Sequence, residues 1–268
     1  MSFFFDVWAY EGFVLASDVR VIVNGGQQFL HKIQTSHNSK VNCAIAVCGE
    51  YPENCIKYFI EASSVNDTLK EIAERFASRW TERYGGTDDY SAVHLVGFEK
   101  LDDSIKAVPQ VWYWHNWSGT TGFLSEEKLQ GDLESFSQPI PVNNHLPWKI
   151  KELTGKFPEP TLEDECELVL SFLRMFQPYF TWNGDTNFWR SAANAVGSAM
   201  NLLWREKSSW KIEETVQLTS ICLEFLAKTG SLLPKSTVGL SHSGTFDVVT
   251  VTPDETKWVS RADLSNNV

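Results

Sequence analysis

The chain of 268 residues is poor in basic side chains and in long apolar runs, and each shortage excludes a class of protein. Its 23 Lys and Arg stand against 34 Asp and Glu, so the net charge is −11. Such a chain repels phosphate backbones and anionic lipid, and we expect it to bind neither nucleic acid nor a membrane surface. No apolar run reaches the roughly 18 residues of a transmembrane helix. The first residues have no basic flank, so a signal peptide is not expected.

Cysteine is also scarce and carries no pattern. The five cysteines are an odd number and include no Cys-x-x-Cys pair. This usage is typical of buried thiols in a reducing compartment, and it argues against a disulfide framework or a zinc site. The Walker loop and the Gly-x-Gly-x-x-Gly and His-Glu-x-x-His motifs are missing as well. We therefore expect a cytoplasmic protein with no metal ion and no cofactor.

Apolar residues make up 43% of the chain and include 11 Trp, enough for a substantial core. The length suits a single domain over 1–268. Residues 118–161 contain five prolines and no clean period, which predicts an irregular insertion, and 162–180 predicts an extra helix after it.

The hydrophobic periodicity changes between 2 and 3.6 along the chain. A strong turn signal, Asn24-Gly25-Gly26, predicts a hairpin near the N-terminus. The predicted elements are, in order, strands over 3–10, 13–23, 27–36 and 41–48, helices over 52–62 and 65–84, strands over 91–99 and 110–117, helices over 162–180, 186–206 and 212–228, and a closing hairpin over 238–251. Strands and helices in separate blocks predict an α+β fold, a four-layer αββα sandwich of mainly antiparallel sheets.

Two groups of side chains in the predicted strands are expected to have structural roles only. Trp112 and Trp114 alternate along one strand and so share a face, which favours packing in the core. His94 lies in an apolar strand and is expected to be a hydrogen-bonded core histidine. Neither group is expected to bind a ligand.

The most informative residues are charges inside apolar strands. Asp18 and Arg20 lie two residues apart and therefore on one face. Aspartate is disfavoured in strands, and a buried carboxylate needs a partner, which Lys32 on the returning strand offers. Gly49, at the end of the next strand, allows a backbone N–H to face a cavity. From these residues alone, a structural ion-pair cluster and a functional site both stay open.

Three segments share the order and spacing of a known family. They are GFVLASDVR at 12–20, HKI at 31–33 and AVCG at 46–49. Counting back from Asp18 by the family's interval reaches Ser2. In this pattern the chain resembles the N-terminal-nucleophile hydrolases, namely the proteasome β-subunit and the HslV-type peptidases. The resemblance covers most of the chain except about 118–180.

The resemblance implies a nucleophile at the start of the chain. Removal of Met1 would give Ser2 a free α-amino group beside its own hydroxyl. An amine with a reference pKa of about 7.7–8.0 can take the hydroxyl proton as a general base. Lys32, held by Asp18, would lower the pKa of that amine through its positive charge.

The resemblance also implies supporting roles for four other residues. Arg20 would fix the site by pairing with carboxylates or carbonyls. The Gly49 N–H would stabilise the oxyanion of the tetrahedral intermediate. Val47 would line the first substrate pocket, and Ser243 would support the site.

The implied function is a peptidase or amidohydrolase that acts on peptide or protein substrates through an acyl-enzyme. The resemblance further implies a homo-oligomer, in a ring or stacked assembly, and is compatible with an unfoldase partner. Two alternatives remain open. One is a catalytically inactive scaffold or interaction subunit. The other is an amide ligase or transpeptidase, in which an amine captures the same acyl-enzyme.

Overall fold

The computed structural model describes residues 3–9, 11–23, 26–49, 51–64, 66–84, 91–100, 107–115, 140–141, 179–184, 211–231 and 246–264. These ranges contain strands β1 (Phe3–Ala9), β2 (Gly12–Asp18), β3 (Arg20–Val23), β4 (Gly26–Phe29), β5 (Ile33–His37) and β6 (Val41–Gly49), helices α1 (Pro52–Ala62) and α2 (Leu69–Tyr84), strands β7 (Ser91–Lys100), β8 (Ala107–His115), β9 (Ile140–Pro141) and β10 (Tyr179–Gly184), helix α3 (Ile212–Ser231), and strands β11 (Phe246–Val251) and β12 (Thr256–Ser260). Across these ranges, none of the helices has the length and apolar character needed to cross a membrane.

Two antiparallel five-stranded sheets form the centre of the fold. Their strand orders are β10-β1-β2-β11-β12 and β5-β6-β7-β8-β9, and β3 pairs with β4 as a separate ribbon. Alternate residues of β2 and β6 point into the space between the sheets, where Phe13, Leu15, Ala44 and Ala46 are buried in one cluster. This period of two is what a strand with one face on a shared core requires.

Helices cover the outer face of each sheet. The other residues of β6, including Cys43 and Ile45, share a second buried cluster with Phe59 of α1 and Phe76 of α2. Helix α3 contacts β1, β2 and β11 of the other sheet. The layers are therefore helix, sheet, sheet and helix, and the predicted αββα sandwich of mainly antiparallel sheets is confirmed.

The predicted helix over 65–84 begins later than expected, at Leu69. Thr68 and Glu71 form a capping box, in which the Glu71 N–H donates to Thr68 Oγ1 at 3.2 Å and the Thr68 N–H donates to Glu71 Oε2 at 2.9 Å. The Thr68 N–H, together with the Thr68 hydroxyl that donates to the same Oε2 at 2.9 Å, lowers the pKa of the Glu71 carboxyl. The cap of this helix is therefore Thr68, whose hydroxyl lies three positions before the glutamate that completes the reciprocal bonds.

Two long predicted strands are each divided between sheets. The run over 13–23 breaks at Val19 into β2 and β3, and the run over 27–36 breaks at residues 30–32 into β4 and β5. At the two breaks the Leu30 N–H donates to the Val19 carbonyl at 2.8 Å. An apolar run does not reveal such a change of sheet, since both halves keep strand character. The predicted hairpin is confirmed, with Val23 opposite Gly26.

Within the predicted irregular insertion over 118–161 the structure describes β9 alone, which pairs with β8. Two other predictions need correction. The predicted helix over 162–180 is wrong at Tyr179 and Phe180, which begin β10 and pair with β1. The closing hairpin consists of β11 and β12, so it lies later than 238–251. The remainder of 118–180 and the helix over 186–206 lie outside the described residues, and the single-domain boundary stays a prediction.

The aromatic and histidine predictions are confirmed. Trp112 and Trp114 are 8% and 1% exposed and belong to the cluster under α1 and α2. Trp114 contacts Phe76 edge to face, with ring centroids 4.9 Å apart. His94 is buried between the sheets, and its Nδ1 lies 2.6 Å from Asp6 Oδ1.

Candidate active site

Lys32 and Asp18 form a buried ion pair at the end of β2. Lys32 Nζ donates to Asp18 Oδ1 at 2.6 Å, and the Lys32 side chain is completely buried while that of Asp18 is 11% exposed. Two charges so far from water stabilise each other only while both are present. The predicted pairing of Asp18 with Lys32 is therefore confirmed.

Arg20 joins this pair through its backbone. Its N–H donates to Asp18 Oδ2 at 3.3 Å. Burial lowers the pKa of the Arg20 guanidinium, and the Asp18 carboxylate, which raises it, offsets part of that effect. Asp18 thus accepts hydrogen bonds at both oxygens, from the Lys32 ammonium and from the Arg20 backbone N–H.

The end of β6 lies beside Lys32. The Val47 N–H donates to the Lys32 carbonyl at 3.0 Å, and Gly49 follows two residues later. Gly49 has φ 107°, a conformation that residues with a side chain rarely adopt. The Val47 side chain is completely buried in the cluster under α1 and α2. Its role in a substrate pocket stays a prediction.

Two more strands approach the Asp18 end of β2. In the β1–β2 ladder Phe4 lies opposite Ser17, so β1 starts at this end of the sheet. In the β2–β11 ladder Phe246 lies opposite Asp18, so β11 starts there too. Both β1 and β11 therefore begin at the end of β2 that carries Asp18.

Ser2 and Ser243 lie outside the described residues. Ser2 is bonded to the first residue of β1, and Ser243 precedes β11 by a few residues. Their roles as nucleophile and supporting hydroxyl stay predictions. Of the predicted site residues, the structure brings together Asp18, Arg20 and Lys32, with β6 alongside.

Sequence reasoning missed a second carboxylate at this end of the sandwich. His31 Nδ1 lies 2.8 Å from Asp247 Oδ2, and Asp247 Oδ1 accepts the Ala262 N–H at 2.9 Å. Asp247 is completely buried in β11, a strand that is apolar apart from Asp247 and Thr250. The signal was the same one that identifies Asp18, a carboxylate inside an apolar run.

The described residues offer little metal-binding or thiol chemistry. Within these ranges, no group of three or more His, Cys, Asp or Glu side chains is arranged to hold a metal ion. Burial raises the pKa of Cys43, Cys55 and Cys222 to about 12, so these thiols stay protonated near neutral pH.

We expect these three cysteines to resist alkylation in the native protein. With a pKa of about 12, the thiolate fraction at pH 8 is about 10⁻⁴, and only the thiolate reacts readily. Iodoacetamide at pH 8, followed by peptide mass mapping, should leave all three unmodified until guanidinium is added. Rapid modification of any of them in the folded chain would contradict the burial described here.

Comparison with solved structures places this architecture among known folds. The chain is similar to a Gly-1 mutant of Anbu from Hyphomicrobium sp. strain MC1, with a TM-score of 0.53 and 12% identity, over 100% of this chain and 93% of that one. It is also similar to Anbu, an ancestral beta-subunit, from Yersinia bercovieri, with a TM-score of 0.52 and 10% identity over 97% and 87%. The fold is proteasome-like.

A third similar structure is the helical assembly of the Anbu complex from Pseudomonas aeruginosa, with a TM-score of 0.52 and 11% identity, over 97% of this chain and 88% of that one. No protein-family model matches the chain, and no curated protein matches it. The proteasome-like part of the sequence resemblance is therefore supported at the level of the fold.

Proposed function

We propose that this proteasome-like chain is an N-terminal-nucleophile peptidase or amidohydrolase, with Ser2 exposed by removal of Met1. The observation that carries the proposal is the buried Lys32–Asp18 pair, with Nζ and Oδ1 2.6 Å apart, at the end of β2 where β1 begins. A completely buried lysine whose ammonium lies at the end of β2 where β1 begins is costly to retain for packing alone. Its charge suits an electrostatic role toward the residue before Phe3.

The proposed chemistry begins at the hydroxyl of Ser2. Its Oγ bonds to the substrate carbonyl carbon while the hydroxyl proton passes to the α-amino group, directly or through a water. The nearby Lys32 ammonium disfavours a second positive charge, which keeps this amine neutral and able to accept the proton. The carbonyl oxygen becomes an oxyanion in this step.

The second half of the reaction returns the proton. The C–N bond of the substrate breaks, and the leaving amine takes the proton from the α-ammonium group. Water then attacks the acyl-enzyme, giving its proton to the same amine, and the product acid leaves as Ser2 Oγ is protonated again. In this scheme the residue at the start of the chain supplies both nucleophile and base.

Other residues would serve the intermediate and the substrate. We assign the Gly49 N–H to the oxyanion, because a glycine at φ 107° can turn its amide away from the strand ladder. Arg20 would hold Asp18 in place through its backbone N–H. Val47 would line the first pocket and Ser243 would support the nucleophile, as the sequence resemblance implies.

The wider setting is part of the same proposal. We infer a cytoplasmic homo-oligomer in a ring or stacked array, related to the HslV-type peptidases, that acts on peptides or proteins and is compatible with an unfoldase partner. The helical assembly of a structurally similar Anbu protein supports an oligomer. The four described cysteines are all buried thiols, as suits a reducing compartment.

The proposal is tested with a fluorescent β-lactone, whose ring is opened by an activated hydroxyl. We expect the purified protein to be labelled, Ser2→Ala to lose labelling completely, and Ser2→Thr to keep it, since threonine retains the hydroxyl and the amine. Circular dichroism should show that all three variants are folded. Labelling that persists in Ser2→Ala would contradict the assignment, and an unlabelled wild type would favour the catalytically inactive scaffold.

A further inference from the structure

The segment that carries Lys32 is anchored at three successive residues. The Leu30 N–H donates to the Val19 carbonyl at 2.8 Å, and the Lys32 carbonyl accepts the Val47 N–H at 3.0 Å. Between them, His31 Nδ1 lies 2.8 Å from Asp247 Oδ2. We call residues 30–32 the lysine segment. It connects the β3–β4 ribbon to β5 and has no strand pairing of its own.

Two side chains of this segment, those of Lys32 and His31, contact neighbouring positions on adjacent strands of the opposite sheet. Lys32 reaches Asp18 of β2, and His31 reaches Asp247 of β11. In the ladder between these strands Asp18 lies opposite Phe246, so Asp247 is one rung further along. The lysine segment is therefore attached to the end of the sheet by two carboxylates on adjacent strands.

The Asp247 carboxylate can hold the histidine in one orientation. Its Oδ1 accepts the Ala262 N–H at 2.9 Å, which leaves Oδ2 for His31. A buried carboxylate oxygen requires a donor, so His31 is expected to carry its proton on Nδ1. Ser17 lies opposite Asp247 in the ladder, but its hydroxyl has no hydrogen-bond partner in the described part of the chain. It therefore does not replace His31 as a donor.

We propose that His31 and Asp247 are positioning residues that hold the lysine segment so that Lys32 stays directed at the start of the chain. The inference rests on the proposed function, because it concerns the reactivity of Ser2. Loss of the His31 donor leaves a completely buried carboxylate oxygen without its partner, and the segment shifts to let it reach water or another donor. A shift of about 1 Å at a catalytic charge slows chemistry by up to roughly 10²-fold.

The first arm of the test measures reaction with the β-lactone in the wild type, His31→Ala, His31→Leu and His31→Asn. Asparagine places an N–H donor close to the position of Nδ1, whereas alanine and leucine have none. We expect kinact to fall roughly tenfold or more in the alanine and leucine variants. KI should stay within about twofold, since the substrate contacts are kept, and His31→Asn should recover most of kinact. Melting temperatures establish that each variant is folded at the assay temperature.

The second arm uses amide hydrogen exchange and needs no activity. Two amides report on the lysine segment, because the Leu30 N–H donates out of it to Val19 and the Val47 N–H donates into it at Lys32. In His31→Ala both should exchange about tenfold faster or more. The Leu95 and Val96 amides in the middle of β7 should stay unchanged. His31→Asn should restore the slow exchange. An unlabelled wild type overturns the proposed function, and this second arm then decides on the positioning role.

Two results would overturn the inference itself. One is a kinact for His31→Ala within twofold of the wild type. The other is exchange at Leu30 and Val47 that does not change in that variant. Loss of kinact in His31→Asn equal to that in His31→Ala would also count against it, because the donor to Asp247 would then not be the property that matters.

Discussion

Replacing Lys32 with methionine is expected to remove reactivity toward the β-lactone and to destabilise the fold. Methionine keeps the length of the side chain but not its charge, so the proposed base, the α-amino group of Ser2, would lose the cation assigned to it. We expect labelling to slow by at least about 10²-fold. Asp18, whose side chain is only 11% exposed, loses its partner at 2.6 Å. Breaking a buried pair in this way costs about 3–5 kcal/mol of unfolding free energy.

The double variant Asp18→Asn/Lys32→Met separates the two effects. It removes both charges, so denaturant unfolding should show that most of the lost stability returns, while labelling stays as slow as in Lys32→Met. Lys57→Met on the exposed face of α1 is the matched control and should change stability by no more than about 0.5 kcal/mol. If labelling returned together with stability, Lys32 would have only a structural role.

Replacing His94 with leucine is expected to cause the largest loss of stability away from the site. His94 and Asp6 are 3% and 0% exposed at the side chain, and they join β7 of one sheet to β1 of the other. Leucine fills the space but leaves the Asp6 carboxylate without its contact at 2.6 Å. We expect urea unfolding to show a loss of about 3–5 kcal/mol.

A double-mutant cycle identifies the cause of that loss. Asp6→Asn/His94→Leu should be more stable than His94→Leu, because a neutral amide is less costly to bury than a carboxylate. His37→Leu, at an exposed histidine of β5, is the control and should stay within about 0.5 kcal/mol of the wild type. Strictly additive losses in the cycle would show that His94 and Asp6 contribute independently.

The centre of the site could be predicted because its residues conflict with their surroundings. Asp18 lies in an apolar strand, and a buried carboxylate demands a cation, so pairing with Lys32 follows from elementary electrostatics. The layered fold was predictable for a related reason, since blocks of period 2 and period 3.6 correspond to sheets and covering helices. Both conclusions depend on local pattern.

Other features depend on contacts between distant residues. His31 and Asp247 are 216 positions apart, and no local pattern pairs them. The pairing of β1 with β10 brings residues near the start of the chain to 179–184, where a helix was predicted in part. The break at Val19 is set by its carbonyl accepting the Leu30 N–H, which an apolar run does not reveal. Periodicity describes each segment but not its partner.

In the proposed peptidase a single residue at the start of the chain supplies both hydroxyl and amine. The direct measurement is peptide mass mapping of the natural protein before and after reaction with the β-lactone. We expect an N-terminal peptide that begins at Ser2 with a free amine and, after reaction, carries one acyl group on its hydroxyl. A chain that retains Met1 or carries an acetylated Ser2, with the adduct absent or on another residue, would contradict it.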